Sequence, residues 1–146
     1  MRQLKANSYG GVVLRSRGPT EYDVAICGRM ADGTWRLPKG SPDPGESAET
    51  TARREVQEET GLAVEIIDKV GDVNYEFVRR ASDTRYDKTV SFYLMAAVGG
   101  DMANHDEEHD IVKWIDAASA TRQLTFNNES RILEAAITMA QERAAG

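Results

Sequence analysis

The sequence has one cysteine, no long apolar run and an excess of acidic over basic residues. Cys27 has no partner for a disulfide within the chain, which fits a reducing compartment, and its place in "DVAICGR" favours a buried strand residue over a nucleophile. The longest apolar run, near "FYLMAAV", is far shorter than the about 20 residues that span a bilayer. The N-terminus "MRQLKANSYGG" lacks the apolar segment of a secretory signal. We therefore expect a cytoplasmic protein without a membrane segment.

The charge balance limits the class of partner. The chain carries 24 acidic and 18 basic residues, which gives a net charge of −6. A chain of this sign has no long-range attraction for nucleic acid, which is therefore not an expected partner. An anionic small molecule would need positive charge from another source, and a divalent metal held by carboxylates would supply it. The length of 146 residues is that of one ordinary domain, so we expect a single domain over residues 1–146.

The pattern of strands and helices predicts an α+β fold. Two strands, "SYGGVVLRSR" and "YDVAICGR", come before a helix from Ala48 to Thr60, with Ser47 as N-cap and Gly61 at the C-terminal cap. The segment "LAVEIIDKVGDVNYEFVRR" has strand character and forms a hairpin with "YDKTVSFYLMAAV" through the turn "SDTR". The strand "IVKWID" and a helix from about Asn127 complete the chain. Because the order is not a strict alternation of strand and helix, we expect a mixed β-sheet between helices.

Three glutamates of the first predicted helix crowd onto one of its faces. Glu55, Glu58 and Glu59 are three and four positions apart, so their side chains converge. An apolar stripe of Ala52 and Val56, which begins at Ala48, overlaps this arc on one side and places the glutamates at the edge of the core, beside a cleft. Like charges this close destabilise a helix unless a cation lies among them. A plain solvated acidic face remains the alternative for these residues taken alone.

The residues around the glutamates complete a specific motif. Gly40 is followed by Glu46, then by Arg54-Glu55, Val56, Glu58-Glu59 and Gly61-Leu62, all at fixed spacing. This pattern resembles the signature of the Nudix hydrolases at every specified position, and the flanking order of elements looks like the family's α/β/α sandwich. The resemblance implies an Mg²⁺-dependent hydrolase of phosphoanhydride bonds in a small nucleoside polyphosphate, with Mn²⁺ as a possible substitute.

The resemblance also implies roles for the motif residues. Metal ligands would be the carboxylates of Glu55, Glu58 and Glu59 together with the backbone carbonyl of Gly40. A carboxylate would take the proton of the attacking water, with Glu58 preferred over Glu55 or Glu108. Glu46 and Arg54 would support the structure by fixing the loop onto the helix. By resemblance, Arg54 would pair with carboxylates of the motif; its adjacency to Glu55 is not itself a contact, because neighbours in sequence do not face each other on a helix.

Further candidates lie outside the motif. Glu108, in "NHDEEHDIVKW", is the acid that many relatives recruit from a loop, and Glu107 is the next choice; a plain surface loop is the alternative. The flanking His105 and His109 are expected to be solvated. Four residues are expected to bind substrate, the lysines a phosphate and the tyrosines an adenine face: Lys39, Lys88, Tyr75 and Tyr93.

The subgroup and the substrate rest on a looser resemblance. "LPKG" together with "KTVSFYLM" looks like the asymmetric diadenosine tetraphosphate hydrolases, so we expect diadenosine tetraphosphate to yield ATP and AMP. Alternatives are oxidised nucleoside triphosphates such as 8-oxo-dGTP, ADP-ribose and diphosphoinositol polyphosphates. An enzyme for oxidised guanine should present a buried Asn or Asp to the base edge, and only Asn74 stands near the hairpin, on the face opposite Tyr75. A non-catalytic Nudix-fold module that binds nucleotide, RNA or protein is the remaining alternative, and the oligomeric state is left open.

Overall fold

A mixed seven-stranded sheet forms the centre of the molecule. The computed structural model describes residues 1–146. The strands are β1 (Arg2–Ser16), β2 (Tyr22–Arg29), β3 (Thr34–Arg36), β4 (Lys39–Gly40), β5 (Leu62–Arg79), β6 (Thr84–Gly100) and β7 (Ile111–Asp116). The helices are α1 (Ala48–Thr60), α2 (Ala117–Gln123) and α3 (Asn127–Ala145). β1 pairs in parallel with β6, whereas all other pairs, including the β5–β6 hairpin, are antiparallel.

Helices cover both faces of the sheet. Side chains alternate between the faces along each strand, so neighbouring residues enter different halves of the core. Val12 and Phe92 pack with α2 and α3, whereas Val13 and Tyr93 pack with α1. The expectation of an α+β fold, an α/β/α sandwich around a mixed sheet, is therefore confirmed.

Helix α1 begins and ends where its capping residues predict. The Ser47 hydroxyl accepts a hydrogen bond from the Thr50 N–H at 3.2 Å. At the other end Gly61 adopts φ of 77°, and its N–H donates to the Gln57 carbonyl at 2.8 Å. A left-handed conformation of this kind favours glycine. The two caps fix which residues of the acidic motif belong to the helix and so fix the face on which each glutamate lies.

Two buried glutamates hold the segment around β4 between the helical layers. The Leu37 N–H donates to Glu129 of α3 at 2.8 Å, and the Lys39 N–H donates to Glu59 of α1 at 3.0 Å. Pro38 between them has no N–H to satisfy. A buried backbone donor without a partner costs free energy, so these carboxylates stabilise the segment as well as lining its two sides.

The predicted elements were found, with the short strands β3 and β4 and one helix in addition. The strands Tyr22–Arg29 and Ile111–Asp116 have the predicted bounds, and the last helix begins at Asn127. The seven-residue α2 was not predicted, because it is too short to show a helical repeat; Asp116 caps it by accepting from the Ser119 N–H at 2.9 Å. None of the helices is both long enough and apolar enough to cross a membrane.

Candidate active site

The three glutamates of α1 differ in burial. Glu59 is 1% exposed, Glu55 is half-buried and the side chain of Glu58 is 49% exposed. Gly40 of β4 lies against this group, so closely that a Cβ at this position would overlap the Glu55 carboxylate. The sequence thus places three carboxylates and one glycine backbone together, as the motif predicted, at the edge of the core.

Arg54 lies at the centre of the carboxylates on the loop side. Its guanidinium donates to both oxygens of Glu46, at 2.8 and 2.9 Å, and to the Ser41 carbonyl at 3.0 Å. It also donates to Glu55 at 2.8 Å and to Glu58 at 3.2 Å. Arg54 thus pairs with carboxylates of the motif, as the resemblance implied, and these include its sequence neighbour Glu55, because the long side chain lets the guanidinium reach a residue whose Cβ points elsewhere.

Glu46 is fully satisfied by hydrogen bonds. In addition to Arg54 it accepts from the Thr51 hydroxyl at 2.8 Å and from the Asp43 N–H at 3.0 Å. These donors, Arg54 first among them, lower the pKa of Glu46 to about 2. Arg54 in turn has a pKa raised by the Glu46 carboxylate. The geometry is that of an ion pair that joins the loop after β4 to α1.

Glu59 has the opposite environment. Its pKa is raised to about 9, first by burial and then by the negative charge of Glu108. Burial also raises the pKa of Glu55. The carboxylates of Glu55, Glu58 and Glu59 next to the Gly40 backbone form an all-oxygen donor set, which is the set that Mg²⁺ prefers. The residues present therefore fit the metal that the motif implies, with Gly40, Glu55, Glu58 and Glu59 as the residues that would hold it.

His109 is buried, so the expectation that it would be solvated was wrong. It is 4% exposed, and its Nδ1 lies 3.4 Å from Glu59 Oε1 without forming a hydrogen bond. Cys27 of β2 lies on the other side of this pair and is fully buried, as the sequence predicted. Burial, followed by the charge of Glu59, raises the pKa of the Cys27 thiol. His105, by contrast, is half-buried in the loop.

The loop that carries Glu108 is held near Glu59. The Asp106 N–H donates to the Glu58 carbonyl at 2.8 Å, and Arg29 donates to the Glu108 carbonyl at 3.2 Å. The Glu108 side chain is 54% exposed. Its charge raises the pKa values of both Glu55 and Glu59.

A basic, partly aromatic cleft of about 490 Å³ opens beside β4. Its lining includes three of the four predicted substrate residues and three that the sequence analysis missed: Lys39, Lys88 and Tyr75, then Arg36, Phe126 and Glu129. Burial and the neighbouring charge of Lys39 lower the pKa of Lys88. Burial raises the pKa of Tyr75 to about 12, and the Tyr75 hydroxyl lies 3.4 Å from the Asn128 side-chain oxygen, to which it donates.

Tyr93 lies on the other face of the sheet. It is buried among the residues under α1, and across the hairpin it pairs with Lys69, whereas Tyr75 pairs with Lys88. The expectation that the two tyrosines would line one surface is therefore corrected. Tyr75 pairs with Lys88, and Tyr93 lies an odd number of positions from Lys88 along β6, so the two tyrosine side chains point to opposite faces. A bulge in β5 lies between the Tyr75–Lys88 and Lys69–Tyr93 pairs. Asn74 is on the face opposite Tyr75, as predicted, where it donates to Asp87 at 2.6 Å.

The missed residues give weak sequence signals. Arg36 stands next to Leu37 in "WRLPKG", and its guanidinium lies 4.8 Å from the centre of the Phe126 ring. Phe126 and Glu129 come from the start of α3, more than 80 positions away in the chain, and only the fold brings them to β4. Glu129 is 1% exposed, and burial raises its pKa. A glutamate in the first turn of an amphipathic helix is common, because its charge interacts favourably with the helix N-terminus. The sequence pattern therefore did not indicate that Glu129 lines a cleft.

Fold and site together define a class of protein: an α/β/α sandwich in which one helix presents three glutamates beside a basic cleft. The sequence matches the model of the NUDIX domain over residues 6–136. The chain therefore belongs to the Nudix hydrolase family, as the motif from Gly40 to Leu62 indicated.

Two curated relatives are longer than this chain. A putative mutator protein MutT4 of Mycobacterium tuberculosis is 37% identical over 141 residues, which cover 93% of this chain and 56% of that protein. An 8-oxo-(d)GTP phosphatase of Mycolicibacterium smegmatis is 30% identical over 128 residues, which cover 88% of this chain and 37% of that protein. The chain thus spans about half or less of the length of each.

Solved structures share the fold. An Ap4A hydrolase of C. elegans in a binary complex has a TM-score of 0.73 at 19% identity, with 97% of this chain and 99% of that chain covered. The E. coli dihydroneopterin triphosphate pyrophosphohydrolase has a TM-score of 0.65 at 24% identity, with coverage of 88% and 92%. At these identities the likeness concerns the fold alone.

Proposed function

We propose that the chain hydrolyses a phosphoanhydride bond of a nucleoside polyphosphate in a magnesium-dependent reaction. One observation carries the proposal. The backbone N–H of Lys39 holds Glu59 of the acidic cluster, while the Lys39 side chain lines the basic cleft. A substrate whose phosphates lie along this residue would have its base in the cleft and its reacting phosphorus at the glutamates.

Each acidic residue has a separate proposed role. Magnesium bound at Glu55, Glu58, Glu59 and the Gly40 carbonyl would neutralise phosphate charge and acidify the attacking water. Glu58 is the proposed proton acceptor, because its side chain is the most exposed of the three and can reach a water molecule. Glu108 and Glu55 are the alternatives for this role. Arg54 and Glu46 keep the loop and the helix in register.

The cleft offers groups for both ends of a nucleotide. Lys39, Lys88 and Arg36 place three cations where a phosphate chain would pass. The Arg36 Nε is buried and has no hydrogen-bond partner within the protein, which leaves it free for an anionic ligand. Tyr75 and Phe126 present ring surface to a base.

Two substrates merit direct comparison. An oxidised purine nucleoside triphosphate is the better supported: Glu129 brings a buried carboxylate to the cleft, so the lack of a group to read a base edge does not count against it. The activity named for the M. smegmatis relative, an 8-oxo-(d)GTP phosphatase, supports the same substrate class. Diadenosine tetraphosphate, the substrate expected from the sequence, retains the support of three cations but loses that of Tyr93.

A substrate panel with product identification tests the proposal. The panel contains 8-oxo-dGTP, diadenosine tetraphosphate, ADP-ribose and a diphosphoinositol polyphosphate, each with Mg²⁺, with Mn²⁺ and with a chelator. Metal-dependent cleavage of a phosphoanhydride bond in at least one compound is expected, and diadenosine tetraphosphate, if cleaved, should yield ATP and AMP. No turnover of any compound with either metal, together with nucleotide binding, would instead support a non-catalytic Nudix-fold module.

A further inference from the structure

Three side chains lie close together beneath the acidic cluster, and the proposed function uses only one of them, Glu59. Cys27 comes from β2, Glu59 from α1 and His109 from the loop before β7, and all are buried. A sulfur, a carboxylate oxygen and an imidazole nitrogen of these residues lie within 4.8 Å of one another. This trio, the Cys27–Glu59–His109 cluster, combines donor types that the all-oxygen magnesium site does not contain.

The His109 ring brings an unsatisfied polar atom to the cluster. Its Nδ1 is buried without a hydrogen-bond partner, and the nearest acceptor, Glu59 Oε1 at 3.4 Å, is not aligned for one. A buried polar atom without a partner is costly, and native proteins place few of them. This nitrogen lies beside the carboxylate of Glu59, another member of the cluster.

The donor set selects a class of ion. Thiolate, imidazole and carboxylate together are the ligands of zinc and of cations with similar softness, whereas magnesium takes oxygen ligands. We propose that the Cys27–Glu59–His109 cluster binds a thiophilic divalent cation of the zinc class. Binding replaces the thiol proton, which passes to solvent, so that thiolate and carboxylate balance the two positive charges. Three protein ligands leave one position of a tetrahedral ion open.

Glu59 belongs to both sites, which gives the cluster a consequence. A zinc-class ion that holds the Glu59 carboxylate on the Cys27 side removes a ligand from the magnesium site. Such an ion therefore acts as an inhibitor of the magnesium-dependent reaction. This consequence rests on the proposed function, whereas the binding of the ion does not.

Cobalt absorption tests the binding directly. The chain has a single cysteine, so a thiolate-to-cobalt charge-transfer band in the near ultraviolet can arise only from Cys27. One equivalent of Co²⁺ added to the thiol-reduced, magnesium-saturated protein is expected to produce this band. Its absence at saturating Co²⁺ would overturn the proposal, whatever the activity of the protein.

Variants separate the cluster from the rest of the molecule. Cys27→Ala should abolish the band, and His109→Gln should weaken Co²⁺ binding by more than the about 10- to 100-fold typical of losing an outer partner of a metal ligand. His105→Gln, which changes the other histidine of the chain, should leave the band and the affinity unchanged. A band of wild-type affinity in His109→Gln would also overturn the proposal. A thermal melt of each variant confirms that the fold is intact.

An inhibition assay separates this proposal from the proposed function. With an active substrate and a fixed excess of Mg²⁺, Zn²⁺ should inhibit the wild-type protein at concentrations at least tenfold lower than it inhibits Cys27→Ala, a difference of about 1.4 kcal/mol in binding. Equal inhibition of both would place the inhibitory zinc at the magnesium site and refute the regulatory consequence. A cobalt band without any hydrolytic activity would retain the metal site and reject the proposed enzyme.

Discussion

Two glutamates of the same motif, Glu46 and Glu59, are chemically identical and lie in opposite environments. Glu46 accepts hydrogen bonds from Arg54, Thr51 and the Asp43 backbone, and its pKa falls to about 2. Glu59 accepts one, from the Lys39 backbone, and burial raises its pKa to about 9. The protein thus supplies the counter-charge for Glu46 itself, but leaves that for Glu59 to a ligand. The first arrangement builds structure and the second builds a site.

The largest expected effect concerns the proposed magnesium site, to which Glu59 belongs. Replacing Glu58 and Glu59 together by Gln should lower kcat by at least about 10²-fold, which is ~2.7 kcal/mol of barrier, because the magnesium ligands and the proposed proton acceptor are lost. Mg²⁺ should also no longer raise the melting temperature. Turnover and melting are measured with and without Mg²⁺. Wild-type turnover in this double variant would show that the reaction occurs elsewhere.

The second effect concerns the structural side. Arg54→Ala leaves Glu46 without its main donor and Glu55 without any, and should lower the free energy of unfolding by roughly 1–3 kcal/mol, between the values for exposed and for buried pairs. Activity should fall with it. Arg53→Ala, an exposed neighbour on the same helix, is the matched control and should change neither quantity. Denaturant unfolding followed by circular dichroism gives the comparison.

The contrast between Glu46 and Glu59 shows what a sequence can reveal. Local signals predicted α1 to the residue, since Ser47 and Gly61 act through contacts within one turn. The motif spacing also placed Glu55, Glu58 and Glu59 on one face of α1, for the same reason. The different environments of these glutamates depend on contacts with residues from distant segments. Neither the burial of Glu59 nor its proximity to His109 can therefore be predicted from the local sequence pattern.

The prediction for the two tyrosines of the hairpin was wrong for a different physical reason. Strand alternation correctly separated Asn74 from Tyr75 within β5. It did not relate Tyr75 to Tyr93, because that relation needs the register of the hairpin: Tyr75 pairs with Lys88, and Tyr93 lies an odd number of positions from Lys88 along β6. The cleft residues Phe126 and Glu129 likewise depend on where α3 docks, which is a property of the whole fold.

The third prediction uses pH to separate the two glutamates in the metal-free protein. The pKa of Glu59 is raised from its usual value near 4.5 to about 9, so the folded state holds a proton that the unfolded state has lost, and stability should fall as the pH rises through this window. The pKa of Glu46 is lowered from about 4.5 to about 2, so its contribution is present above this window and is lost as the pH falls through it.

Melting temperature against pH measures both effects. Glu59→Gln should flatten the decline at high pH, and Glu46→Gln should flatten the decline at low pH while lowering stability near neutrality. Mg²⁺ should remove most of the decline at high pH in the wild-type protein, because the ion binds the ionised Glu59 of the folded state. A wild-type profile unaffected by Mg²⁺ above pH 7 would contradict the assignment of Glu59 as a metal ligand.

The fourth prediction tests which face of the hairpin meets the substrate. Lys88→Ala should raise KM about tenfold with a smaller change in kcat, because it removes one charge-assisted contact, ~1.4 kcal/mol, to a phosphate. Lys69→Ala removes a lysine of the same hairpin, which pairs with Tyr93 and not with Tyr75, and should leave KM unchanged. The reverse result would assign the substrate to the Tyr93 face.

The smallest effect is expected at Glu108, whose side chain has neither the hydrogen bonds of Glu46 nor the burial of Glu59. Glu108→Gln should lower activity less than about tenfold and leave stability unchanged, because Arg29 holds the loop through the backbone carbonyl and the side chain is exposed. Removing its charge should also lower the pKa of Glu59, which favours the ionised ligand and partly offsets the loss. Glu107→Gln, which removes the same charge one position away on the exposed loop, is the control. Steady-state kinetics and denaturant unfolding check both variants. A loss of 10²-fold or more at Glu108 alone, in the range of about 10²–10⁴ for removal of a general base, would transfer the proton-accepting role from Glu58 to this loop.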